Sequence, residues 1–175
     1  FPGLHERIDE VRSAMHAAGV DRALSICTTL EEFPSVHALA MRFDDLWATV
    51  GVHPDNEGEG TEEPTADRLV ELASLPRVVA IGETGLDYYR LGDRTLDDMA
   101  WQRERFRQHI RAGVRTGLPL VIHTRSASDD TLAILREESA GRATGVFHCF
   151  TETMAVARAA LDLGFLISFS GILTF

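Results

Sequence analysis

Val78-Val79-Ala80-Ile81-Gly82-Glu83-Thr84-Gly85-Leu86-Asp87-Tyr88-Tyr89 is the stretch that decides the fold. Val78 to Ile81 is a short run of β-branched and small apolar residues bounded by glycine, which suits a strand buried on both faces. Within two residues the character changes. Glu83, Asp87, Tyr88 and Tyr89 follow, and Gly82 and Gly85 let the backbone turn tightly. A carboxylate at the carboxyl end of a buried strand stands where parallel α/β folds build their sites. Taken alone, Glu83 reads equally well as a loop residue capping the next helix. The rest of the chain decides between the two.

Toward the N-terminus, Ile8, Val11, Met15 and Ala18 form one helical stripe ending at Gly19. Ala23 to Thr28 reads as a strand, Val36, Leu39, Ala40 and Phe43 as a second helical stripe, and Leu46 to Val52 as a second strand. Asp55 to Pro64 is a polar loop rich in Gly and Glu, read as a mobile surface segment, and a short helix with Leu69 and Leu72 follows. Past the central stretch, a helix from about Asp98 to Arg115 buries Met99, Phe106, Ile110 and Val114. Its Arg103, Arg105, Arg107, Arg111 and Arg115, with Glu104 among them, read as a solvated outer face away from any site. Leu120 to His123 is a fourth strand entered through Pro119, and Leu132 and Leu135 mark a helix that Ser128 or Asp129 would cap. Val146 to Cys149, a helix over Val156 to Leu163, and a strand over Leu166 to Phe169 complete the pattern.

Strands alternating with helices, without hairpin signals, predict an α/β fold with a parallel sheet and helices outside. An open doubly wound sheet and a TIM-like (β/α) barrel both fit. No phosphate-binding glycine fingerprint follows any strand, which weakens the nucleotide-binding open sheet. A barrel needs eight units and about 250 residues. This chain of 175 residues is expected to be a single barrel domain over 1–175, incomplete at both ends, with the first and last strands outside it.

The composition, 45% hydrophobic with 14 Gly and 6 Pro, is enough for a real core. Cys27 and Cys149 are too few for a disulfide framework and read as reduced thiols of a cytoplasmic protein. No apolar run is long enough to span a membrane. The net charge of −10 argues against a protein that wraps nucleic acid through its overall field. Phosphate handling would then need bound cations or a local arginine.

Ligand-type residues recur at strand ends: His53 after Val50-Gly51-Val52, Glu83 after Ile81, His123 in Leu120-Val121-Ile122-His123-Thr124-Arg125, and His148 after Gly145-Val146-Phe147. Parallel strands of one barrel bring such ends to a single mouth. One histidine in such a place is ordinarily a hydrogen-bonded core residue, whereas imidazole and carboxylate at successive ends suit Zn, Mn or Mg. Arg125 could present its fork to a phosphate or pair with Asp129 or Asp130. Tyr88 and Tyr89 could stack on a base or pack beneath the loop, and Asp87 could cap the turn.

Ile81 to Tyr89, Leu118 to Arg125 and His148-Cys149-Phe150-Thr151 resemble the signature blocks of the TatD family, and Val50 to Pro54 and Ser168 to Gly171 fit the same pattern. The resemblance implies a metal-dependent hydrolase on a TIM-like barrel, similar to the amidohydrolase superfamily, that acts as a deoxyribonuclease on DNA ends or single strands by metal-activated water. It implies two divalent metal ions (Mg, Mn or Zn), with Glu83 as the shared carboxylate, catalytic as well as metal-binding, and His123 and His148 as ligands of the second ion. His53, Arg125 and Tyr88 are then expected at the substrate. The family's His-x-His pair on the first strand and its aspartate on the last are not in this chain, so a longer protein is expected. An ester or amide hydrolase, such as an aminoacyl-tRNA deacylase, and a non-catalytic barrel scaffold are the alternatives.

Overall fold

A computed structural model describes residues 2–58 and 60–175. Among them are six strands: β1 (Ala23–Ser25), β2 (Leu46–Val50), β3 (Val78–Asp87), β4 (Leu120–Arg125), β5 (Gly145–Phe147) and β6 (Phe165–Ile167). Seven α-helices accompany them: α1 (Pro2–His5), α2 (Ile8–Ala17), α3 (Phe33–Arg42), α4 (Ala66–Ala73), α5 (Ala100–Thr116), α6 (Ser128–Ser139) and α7 (Met154–Asp162). The strands lie side by side in chain order and every neighbouring pair is parallel. A doubly wound sheet reverses its order at a switch point. Here nothing reverses, and the sheet curls one way into a half-barrel with helices around it. That is the TIM-like architecture expected from the sequence.

Alternation along the strands sorts the side chains. Ile81, Ile122, Phe147 and Phe165 are almost wholly buried, and Phe106 and Ile110 of α5 join them in one core. Each such side chain contributes roughly 1.5–3 kcal/mol over its exposed state. The opposite, concave face holds a cleft of about 380 Å³ lined by Leu24, Val79, Val121, Val146 and Leu166 among others. Among the described residues no helix is long and apolar enough to cross a membrane.

The central strand runs further than its apolar run suggests. β3 continues through Asp87, with Gly85 opposite His123 and Asp87 opposite Arg125, after an irregularity between Ile81 and Thr84. Glu83 therefore lies within the strand and not past its end. The continuation needs Gly85: its φ is +132°, and a Cβ there would sit 1.9 Å from the carbonyl oxygen of His123. No side chain fits between strands that close.

Two smaller expectations change. α6 has Ala127 at its N-cap with no side-chain cap, because Ser128 already lies in the first turn and donates its hydroxyl to Glu152 at 2.7 Å. The 55–64 loop, read as mobile, is tied down on several sides: Arg105 bonds the Asn56 carbonyl at 2.7 Å, Arg94 bonds Glu57 at 2.7 Å, and Glu31 accepts the Glu62 N–H at 2.6 Å.

Candidate metal centre

Three of the expected residues meet at the carboxyl end of the sheet. One ligand atom from each of His53, Glu83 and His123 lies within 4.8 Å of the other two. Glu83 Oε1 is 3.5 Å from His123 Nδ1 and 3.8 Å from His53 Nε2. Donors bound to one ion at 2.0–2.2 Å in tetrahedral geometry stand about 3.4 Å apart, so this spacing suits a shared cation. All three side chains are largely withdrawn from solvent.

The backbone explains the convergence. The Glu83 N–H donates to the Cys27 carbonyl at 2.9 Å, reaching across from the end of β1. The His53 N–H donates to Thr28 O at 2.9 Å, and the His148 N–H donates to Ile122 O at 2.8 Å. His53 and His148 are thus placed by main-chain bonds to the neighbouring strand or its extension, and Glu83 by one that passes beyond β2 to the segment after β1. His148 is just past β5 and outside the three-residue cluster, with its Nδ1 3.5 Å from Ser168 Oγ. It is still close enough for its charge to help lower the pKa of Glu83.

The electrostatics are those of a carboxylate surrounded by imidazoles. Burial pushes Glu83 upward, but the hydrogen bond from His123 and the charges of His53, His123 and His148 outweigh it, and its pKa lies below the usual value. For His123, burial opposes protonation, yet bonds to Glu83 and Asp87 prevail and raise it. His53 goes the other way: burial, then the neighbouring charge of His123, lowers it.

The two ring nitrogens of each histidine settle different roles. His123 Nε2 donates to Asp87 Oδ2 at 2.9 Å, which puts a proton on Nε2 and makes Nδ1, now paired with Glu83, the nitrogen that a cation would take in exchange for its proton. A carboxylate behind the ring is the usual support of a metal-binding imidazole. His53 is arranged the opposite way. Its Nδ1 accepts the Asp55 N–H at 3.1 Å, so a neutral ring carries its proton on Nε2, toward Glu83. His53 is placed to donate a hydrogen bond at the site, not a lone pair.

Asp87, read from sequence as a turn cap, does two things. Its Oδ1 accepts the Tyr89 N–H at 2.8 Å, as a cap would, while its Oδ2 holds His123. Tyr88 corrects an expectation. It is 7% exposed, its hydroxyl donates to Asp130 at 2.7 Å, and burial pushes its pKa up to about 12. Its ring supports the loop from below and offers no face to a substrate. Tyr89 is the surface ring, and Arg125 lies over it with the guanidinium carbon 3.6 Å from the ring centre. Asp130 is occupied by Tyr88 and approached by Arg103, and Arg125 makes no ion pair among the described residues.

Sequence reading also missed a polar shelf on α5. Arg105, assigned to a solvated face, is 3% exposed and donates to the His53 carbonyl at 3.0 Å as well as to Asn56 and Glu63. Gln102 accepts the Asp87 N–H at 3.0 Å and donates to Pro54 O at 3.1 Å. Buried His109 accepts the Val52 N–H at 3.0 Å and donates to Arg105 O at 2.8 Å. The signal was present: Gln102 and His109 stand on the same helical stripe as Phe106 and Ile110, where polar residues need partners. Both cysteines are free. Burial raises the Cys27 thiol to about 12, and Cys149 Sγ lies 2.7 Å from Ser170 Oγ, so neither joins the cluster.

Comparison with known proteins agrees with this geometry. The family model for TatD related DNase matches residues 1–175. An uncharacterized metal-dependent hydrolase of Escherichia coli K12, YcfH, is 42% identical over 175 residues, covering all of this chain and 63% of its own. A protein of Cronobacter turicensis named 3'-5' ssDNA/RNA exonuclease TatD is 38% identical, with 95% of this chain and 61% of that one aligned. Among solved structures, the TatD homologue YjjV of E. coli K12 superposes with a TM-score of 0.86 at 26% identity, over 100% of this chain and 66% of that one. The chain spans less than two thirds of the length of these curated relatives. With its whole length matched by the family model, the chain belongs to the TatD family.

Proposed function

We propose that the protein is a metal-dependent hydrolase that cleaves phosphodiester bonds in DNA, at single-stranded regions or ends. The observation that carries this reading is the pair of carboxylates around one imidazole: Glu83 in front of His123 Nδ1 and Asp87 behind Nε2. Ion pairing alone would need only one of them. The donor set of nitrogen and oxygen atoms, with no thiolate, fits Zn, Mn or Mg. Glu83 and His123 would hold one cation with His148 as its further ligand, and Glu83 would be shared with a second ion. Bound there, such cations supply a lowered pKa for water and positive charge opposite the phosphate oxygens.

The other residues then have work of their own. Asp87 fixes the tautomer and tilt of His123. His53 presents Nε2–H toward the site, suited to a non-bridging phosphate oxygen. Arg125 lies two residues beyond His123 on β4, so both side chains leave the same face, about 7 Å apart along the strand. Stacked on Tyr89, it keeps its N–H edge available to a second oxygen. In a protein of net charge −10, that local cation supports phosphate binding against the overall field. The exonuclease name of the Cronobacter relative supports the same substrate class.

The test is hydrolysis of short single-stranded DNA by the full-length protein with added Mn or Mg, compared with Glu83→Ala. Metal-dependent cleavage that falls more than a hundredfold in the variant is the expected result, since removing an outer-shell group alone costs 10–100-fold in such sites. A metal-loaded protein that leaves DNA intact but releases the acyl group from an aminoacylated RNA would replace the nuclease by a deacylase.

A further inference from the structure

Tyr89 is 60% exposed, a large aromatic two residues past Asp87, the carboxylate that holds His123 of the candidate metal cluster. A lone exposed tyrosine is unremarkable on any surface. This one is fixed three ways. Its N–H is held by Asp87 Oδ1 at 2.8 Å. The N–H of Tyr88 just before it donates to Arg125 O at 2.9 Å, binding the loop to β4. Arg125 covers one side of the ring at 3.6 Å. The carboxylate that positions Tyr89 is also the one that positions His123, so the ring keeps a set distance from the candidate metal ligand.

We propose that Tyr89, backed by Arg125, is the platform on which the unpaired nucleobase of a single-stranded nucleic-acid end stacks beside the bond to be hydrolysed. The inference rests on the phosphodiesterase reading and adds a substrate contact to it. A base has a π face whatever its identity, so a tyrosine ring accepts any of the four, and the stack selects for strandedness and not for sequence. The guanidinium polarises the ring from one side and stands ready for the phosphate attached to the stacked nucleoside. In a duplex the interior base faces are covered by their neighbours and the terminal base is held flat against its pair, so a paired end has to fray before a single base can turn onto the ring.

The decisive experiment measures equilibrium binding of a short labelled oligothymidylate, and of the matching oligouridylate, to full-length protein in chelator, where no hydrolysis intervenes. Tyr89→Ala is expected to weaken binding roughly tenfold or more, the size of one lost base–aromatic stack. Tyr89→Phe and Tyr89→Trp, which keep a ring, are expected to recover most of it, and a duplex competitor should displace the label poorly. An oligonucleotide with an abasic terminal residue should bind wild type and Tyr89→Ala alike. Equal affinity of wild type and Tyr89→Ala for the normal oligonucleotide overturns the platform, as does a loss that persists on the abasic one or a wild type that binds neither. Binding that depends on Tyr89 without cleavage in Mn removes the nuclease reading and leaves the platform. Cleavage indifferent to Tyr89→Ala does the reverse.

Discussion

The candidate metal centre has two walls built on different principles. One is the β3–β4 junction, where Glu83, Asp87 and His123 hang on a continuous parallel ladder and orient one another directly. The other is the segment after β2, where His53 sits on irregular backbone. There the ordering comes from side chains of α5: His109 takes the Val52 N–H, Arg105 the His53 carbonyl, and Gln102 the Pro54 carbonyl. The first wall anchors its histidine by Nε2 and turns Nδ1 to the site; the second anchors its histidine by Nδ1 and turns Nε2–H to the site. The same residue type faces the same carboxylate in two chemical roles, and what stands behind each ring decides which.

The ladder wall should fail first when its backbone is disturbed. Gly85→Ala places a methyl 1.9 Å from the His123 carbonyl oxygen at a φ of +132°, so β3 and β4 must separate. The expected loss is more than about 4 kcal/mol, in the range reserved for severe core and backbone lesions. Gly60→Ala, in the loop below His53, meets no atom within 4 Å and should cost only about 1–2 kcal/mol for its positive φ. Urea midpoints of the two variants check this. Similar losses would mean that the two walls do not differ in rigidity.

The loop wall has a pH limit of its own. Burial lowers the pKa of His109 to about 4, whereas the unfolded chain takes up that proton near 6.5. The folded state's advantage is therefore complete above pH 6.5 and is lost as pH falls toward 4, a contribution on the order of 3 kcal/mol. His109→Gln keeps an acceptor in place but removes the titration. Between pH 7 and 4.5 its stability should decline less steeply than that of the wild type. Parallel pH slopes would show that the shelf is held by something other than a neutral imidazole.

The two walls also differ in how much of them the sequence discloses. Strand ends are legible because a parallel sheet aligns them: Glu83, His123 and the approach of His53 follow from periodicity and direction alone. The length of β3 was not legible, because glycines that read as a turn at 82 and 85 instead let the strand carry on past an irregularity. The second role of Asp87 needs the register of β3 against β4, which local patterns do not contain. Arg103 and Arg105 were placed on an outer face since helical spacing tells which side of α5 meets the sheet. It does not tell that the N-terminal half of α5 reaches under the loops, where long side chains find carbonyls and carboxylates. Of the two tyrosines, alternation fixes that they part company, but only packing says that Tyr88 is the one that turns in.

The sharpest division between the walls is in metal affinity. Asp87→Asn retains the shape of the side chain but weakens its hold on the His123 Nε2–H, and an amide turned the wrong way would present N–H to N–H. Divalent metal affinity of the full-length protein, followed by calorimetry, should fall 10–100-fold. His53→Phe keeps a ring but removes a donor that carries no lone pair toward Glu83, so the same titration should shift only a few-fold, while affinity for a phosphate monoester analogue drops by a larger factor, consistent with the loss of one hydrogen bond to a charged oxygen. If both substitutions weaken metal binding alike, His53 is a ligand whose ring turns over when the ion enters. The Asp55 N–H bond to Nδ1 would then mark the resting state and not the working one. If Asp87→Asn leaves metal binding untouched, the carboxylate serves Tyr89 alone, and the link between the stacking ring and the metal ligand dissolves.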